Sequence, residues 1–179
     1  MRLIPPVSVK KNLADVNAGE LIGFKHGSES RFALVGQHDD KLHPPEKCLF
    51  LFASANDGRS EPFYVFPKWG STTYLSYGTA YFIEADHAPE AVDFNPFREE
   101  PNGILLIVGD RTLLEARAMP QTGNLETAYY DIETHEVVDR PGNSTAVGLR
   151  RWSLYLGTPE QRRTGDQPLI SVNAVRQAT

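Results

Sequence analysis

The chain has 179 residues, 40% hydrophobic and 23% charged, enough to bury one substantial core and unlike a disordered or fibrous composition. Its 23 acidic and 18 basic residues leave a formal net charge of -5, which argues against a cationic face that recruits nucleic acid by counterion release. No apolar stretch approaches a membrane span, and the only cysteine, Cys48, permits no intrachain disulfide.

Punctuation dominates the pattern. Gly 14 and Pro 13 cut almost every apolar run before three helical turns, so the expected elements are short strands. Residues 1–16 carry Pro5-Pro6 and Lys10-Lys11 and read as an extended arm rather than a packed element. Met1 to Pro6 lacks the continuous apolar stretch of roughly 7 to 15 residues of a secretory signal, so the expected setting is cytoplasmic or an intracellularly assembled particle.

Residues 17–156 read as one β domain. Gly19–Lys25 and Arg31–Val35 form a hairpin around a polar, Gly-containing loop. After a polar, proline-interrupted stretch, Cys48–Phe52 is a continuous apolar run, the mark of a central strand covered on both faces, and it buries the Cys48 thiol as a small hydrophobe. Phe63–Phe66 completes a second hairpin across the Asn56-Asp57-Gly58 turn. Trp69–Ile83 divides into two short strands, with Gly78 as a turn or bulge. Asp86–Pro101 contains three prolines and reads as a long connection with one helical turn near Pro89, the kind of loop that carries function or lies at an interface.

Ile104–Val108 and Arg111–Ala118 flank Gly109-Asp110 as the clearest hairpin, and Thr127–Glu133 with Glu136–Val138 form another around Thr134-His135. Val147–Leu156 places Trp152, Leu154 and Leu156 inward against outward Arg151, Ser153 and Tyr155. Residues 157–179 form a polar tail in which Leu169–Val172 can pair as an edge strand. The sum is an all-β, mainly antiparallel sandwich or barrel of about ten short strands with little helix.

Chemistry-bearing patterns are sparse. His38, Asp40 and His43 put two imidazoles and a carboxylate in one polar segment with zinc-ligand chemistry, yet all five histidines fall in expected loops or turns rather than on facing strands. No Gly-x-Ser-x-Gly elbow or phosphate-cradling glycine motif exists, and no cofactor is expected. Aromatics concentrate in the middle third. Most read as core, with Trp69, Tyr74 and Tyr77 the candidates for an exposed face that stacks on sugar or anchors a protein.

Three functions therefore compete. The leading expectation is a noncatalytic assembly or protein-interaction protein that associates with protein partners or itself, for example as a structural subunit of a virus particle or other large complex. The others are a carbohydrate-binding sandwich using Trp69, Tyr74 and Tyr77, and a metal-dependent enzyme of jelly-roll type built on His38, Asp40 and His43. Neither nucleic acid nor membrane is expected as a partner.

Overall fold

The computed structural model describes residues 8–26, 29–38, 46–52, 62–65, 73–97, 103–118, 127–142 and 146–174. Within them the protein is all-β and mostly antiparallel. Fifteen strands are described against the ten expected: β1 (Val9–Asn12), β2 (Leu21–His26), β3 (Glu29–His38), β4 (Glu46–Phe52), β5 (Pro62–Val65), β6 (Thr73–Ser76), β7 (Tyr81–Ala85), β8 (Val92–Asp93), β9 (Leu105–Val108), β10 (Arg111–Ala118), β11 (Thr127–Asp131), β12 (Val137–Val138), β13 (Ala146–Leu149), β14 (Arg151–Leu156) and β15 (Ile170–Asn173). The expected helical turn near Pro89 is a 3-10 turn at Pro89–Ala91.

The strands form two sheets. Twelve run in the order β1-β6-β2-β3-β4-β5-β10-β9-β13-β8, with β11 on β10 and β12 on β11; the other three run β15-β14-β7. Two contacts depart from antiparallel pairing: β5 lies parallel to β10, and an isolated parallel bridge joins Gln37 to Glu136. That bridge, reinforced by the Gln37 N–H donating to the His135 carbonyl at 3.0 Å, makes β3, β4, β5, β10, β11 and β12 a closed cycle of neighbours. The fold thus joins a small closed ring of strands to a sandwich-like layer contributed by the second sheet.

The apolar run Cys48–Phe52 explains where the core sits. Cys48, Phe50 and Phe52 enter the main core, which also takes Leu114, Tyr130, Trp152, Leu154, Ile170 and Val172, while Leu49 and Leu51 enter a second core with Ile22, Val35 and Tyr74 on the opposite face of the same sheet. Each fully buried side chain of this size stabilises the fold by about 1.5–3 kcal/mol. The main core is where the two sheets meet, Phe52 and Trp152 packing edge to face at 6.0 Å between centroids. The Trp152 Nε1–H reaches the Gly103 carbonyl at 2.7 Å, which satisfies the one polar atom of that buried indole.

The N-terminal segment departs from its expectation. Val9–Asn12 is a paired strand on β6, because Lys11 places its ammonium 2.7 Å from the buried Glu20 carboxylate, which also accepts from the Ser76 hydroxyl and the Asn17 N–H. Leu13 packs on the second core, and Lys47 Nζ donates to the carbonyls of Leu13 and Ala14 at 3.0 and 2.6 Å. The expected single strand 147–156 also divides. It breaks at Arg150, whose N–H bonds the Ala91 carbonyl and whose carbonyl accepts from Ala174, so β13 belongs to the large sheet and β14 to the small one.

Candidate interaction site

The connection after β7 builds a rigid stand from its own sequence. Asp86 folds back to accept the Ala88 N–H at 2.8 Å, and its own N–H bonds the Arg151 carbonyl at 2.8 Å. Proline at the start of the 3-10 turn presets its backbone, and the chain then pairs as β8 with β13. Asp93 is the keystone: its side chain is buried, it holds the Arg150 guanidinium in an ion pair, and its Oδ1 accepts the Asn95 N–H at 2.9 Å. Pro96 packs over Gly148 so tightly that a Cβ there would lie 2.9 Å from the Pro96 Cβ and 3.1 Å from Ile104.

On this stand Phe94 is 82% exposed. Asp93 before it and Pro96 two residues after it are buried, while Asn95 beside it is exposed, so the ring projects from backbone held on both sides rather than from a free end. Lone apolar surface residues are ordinary, and the distinguishing feature here is a large aromatic held out by a buried ion pair. Rigid exposed aromatics deliver contact area with little entropy loss, and for that reason they are enriched among the anchors of protein interfaces.

Beside the root of this connection, the outer face of the small sheet forms an open groove of about 400 Å³ lined by Glu84, Asp86, Arg151, Ser153, Ser171 and Asn173 among others. Arg151 reaches Asp86 at 3.1 Å and Glu90 at 2.9 Å, and the Ser153 and Ser171 hydroxyls lie 3.1 Å apart. Further along, Arg162 pairs with Glu84 and sits 4.4 Å from the centre of the Tyr155 ring, which stacks on Phe82. These ion pairs are solvent-exposed and shape the surface more than they stabilise it.

Of the expected site residues, the described ones, Tyr74, Tyr77 and His38, do not line this groove. Tyr74 requires correction: it is 0% exposed, packed edge to face on Phe24 at 5.5 Å, because its place on β6 points it into the second core. Tyr77 is half-buried and tilted against Phe32, and Trp69 lies outside the described residues. His38 ends β3 and His26 ends β2, so these two histidines are on strands, not in loops as expected; Asp40 and His43 lie outside the described residues. Among the described residues no three His, Cys, Asp or Glu side chains come together as a metal-holding group.

One buried polar cluster has the appearance of chemistry. Tyr130 Oη lies 3.0 Å from His135 Nδ1, and Tyr130 also bonds Tyr81. Burial pushes the Tyr130 phenol far above its ordinary range and Tyr81 up to about 12, the direction opposite to that of an activated nucleophile. The cluster is a satisfied core network. Its turn is set by Asp131, whose Oδ1 accepts from the Glu133 and Thr134 N–H groups while Arg111 pairs with Oδ2 at 2.7 Å.

Sequence reading passed over Phe94. Its only local signal was an aromatic between Asp93 and Asn95 in a proline-rich connection, and its own exposure in the fold is what separates it from a core phenylalanine. Among the described residues, fold and surface together define an all-β protein with one large exposed aromatic, Phe94, and no helix long and apolar enough to cross a membrane. Compared with protein-family models, curated proteins and solved structures, the chain shows no match.

Proposed function

We propose that this chain is a noncatalytic assembly or protein-interaction protein, of the kind that serves as a structural subunit of a virus particle or other large complex, and that Phe94 is a principal anchor for its partner. The observation that carries the reading is the 82% exposure of Phe94 on backbone fixed by the Asp93–Arg150 ion pair. Support also comes from the exposed Val9 and Leu75, which lie on adjacent strands at the β1–β6 edge. The carbohydrate reading loses Tyr74 as a stacking surface, and no observation favours the metalloenzyme reading over it.

The test is purification of untagged protein from its native source at gentle salt, with native mass measured for wild type and Phe94→Ala. Wild type is expected in a stoichiometric complex. Truncating an interface anchor costs 2 kcal/mol or more, about 30-fold in affinity, so Phe94→Ala is expected to elute free. A surface truncation changes stability by only about 0.5 kcal/mol, so its melting temperature should stay within about 2 °C of wild type. A wild type that elutes alone, or a Phe94→Ala complex that is unchanged, overturns the reading.

A further inference from the structure

We propose that β15 pairs antiparallel with β15 of a second copy of this chain across a two-fold axis at Val172, joining the two small sheets into one of six strands. The starting point is an edge that no described strand covers. Among the described strands, β15 lies at one margin of the small sheet with β14 on its inner side only. Soluble proteins guard such edges with charge, proline, bulges or shortness. The β1 edge carries Lys10 and Lys11, β7 carries the exposed Glu84, and β8 and β12 are two residues long. Ile170-Ser171-Val172-Asn173 carries neither a charge nor a proline.

The hydrogen-bond alternation shows which groups the edge offers. Ala174 donates to the Arg150 carbonyl at 2.8 Å, and in the same register Val172 faces Trp152 and Ile170 faces Leu154. Backbone groups of alternate residues point to opposite sides of a strand, so Ile170, Val172 and Ala174 spend theirs on β14 while the N–H and C=O of Ser171 and Asn173 point outward. A two-fold axis at Val172 sets Ser171 opposite Asn173 of the second copy, and Asn173 opposite its Ser171, which matches four outward groups with four.

The side chains agree with that register. Ser171 and Asn173 are exposed and polar on the outer face, whereas Val172 is buried on the inner face and meets its own symmetry mate. Every residue from Leu169 to Ala174 is uncharged, so the axis brings no like charges together. An isologous contact of this kind closes at two copies and does not propagate. Because Ser171 and Asn173 also line the groove, pairing would run the two grooves into one trough across the axis.

The proposal rests on the assembly reading and supplies the chain itself as one partner, and it is tested apart from Phe94. Sedimentation velocity of wild type across the micromolar range should show a monomer–dimer equilibrium. Ser171→Pro removes an outward N–H and no backbone bond to β14, only the exposed hydroxyl contact with Ser153, so it should keep the wild-type circular dichroism and weaken the dimer at least tenfold. Ser171→Lys restores the missing guard charge and should do the same should the proline variant fold poorly.

Mixing Ser171→Cys with Asn173→Cys under oxidation should give a crosslinked heterodimer, since directly opposed hydrogen-bonded residues stand about 5.5 Å apart at Cα, within disulfide reach. A monomeric wild type, or a dimer that tolerates both Ser171 variants, overturns the pairing. A monomeric wild type that still forms a Phe94-dependent complex sinks the pairing alone, and loss of both sinks the assembly reading as well.

Discussion

Gly19→Ala tests the contact that ties the β11–β12 turn to the rest of the fold. Gly19 has φ +84°, and an ideal Cβ there would lie 2.3 Å from His135 Cδ2 and 2.4 Å from its Nε2. The ring cannot easily yield. His135 itself sits at φ 64°, its N–H bonds the Asp131 carbonyl at 2.9 Å, its carbonyl accepts from Gln37, and its Nδ1 meets Tyr130. A left-handed backbone costs a β-carbon residue about 1–2 kcal/mol, overpacking adds about 1–3, and a displaced ring forfeits a hydrogen bond of about 0.5–1.5. The expected loss is about 3–6 kcal/mol, a large share of an ordinary domain's stability.

Urea unfolding followed by tryptophan fluorescence measures it, and a double-mutant cycle isolates the cause. In a His135→Ala background the ring is gone, so Gly19→Ala should cost only the backbone part, about 1–2 kcal/mol. Equal cost in both backgrounds, or a cost below about 1 kcal/mol in the native one, would refute the ring contact as the reason for glycine.

Three further outcomes follow from the structure. Asp93→Asn leaves the nearly buried Arg150 charge without its counterpart and should cost about 3–5 kcal/mol in the same unfolding assay, much of it recovered by adding Arg150→Met. Trp152→Phe strands the Gly103 carbonyl and leaves a small void in the main core, for about 2–4 kcal/mol, read as a lower urea midpoint with unchanged slope.

Acid should unfold the protein through Glu20 and Asp131. Burial alone would raise both carboxyls, but Lys11, Ser76 and Asn17 around Glu20, and Thr134, Arg111 and Glu133 around Asp131, hold them below the ordinary values of about 4.3 and 3.9. A depressed folded-state value means that the stabilisation is complete above the unfolded value and disappears as pH falls through the folded one. Stability measured from pH 6 downward should therefore drop below about pH 4, and Glu20→Gln with Asp131→Asn should flatten that slope.

The sequence by itself determined the all-β class, because proline and glycine placement leaves no room for helices and side-chain alternation marks the faces of strands. It marked β4 as central from its unbroken apolar run, and the β9–β10 turn from Gly109, which takes φ +65°. It also separated inward Trp152 and Leu154 from outward Arg151 and Ser153.

Only the tertiary structure decided which strands are neighbours. β6 and β7 are adjacent in sequence yet join different sheets, and the strand read as continuous from 147 to 156 changes sheet at Arg150. A period of two states which residues share a face; it says nothing of what covers that face, since strand pairing is settled by contacts between distant segments. Tyr74 and Phe94 show the consequence. Both are aromatics in polar, turn-rich sequence, and the packing of Phe24 over one and of nothing described over the other decided that the first is core and the second is surface.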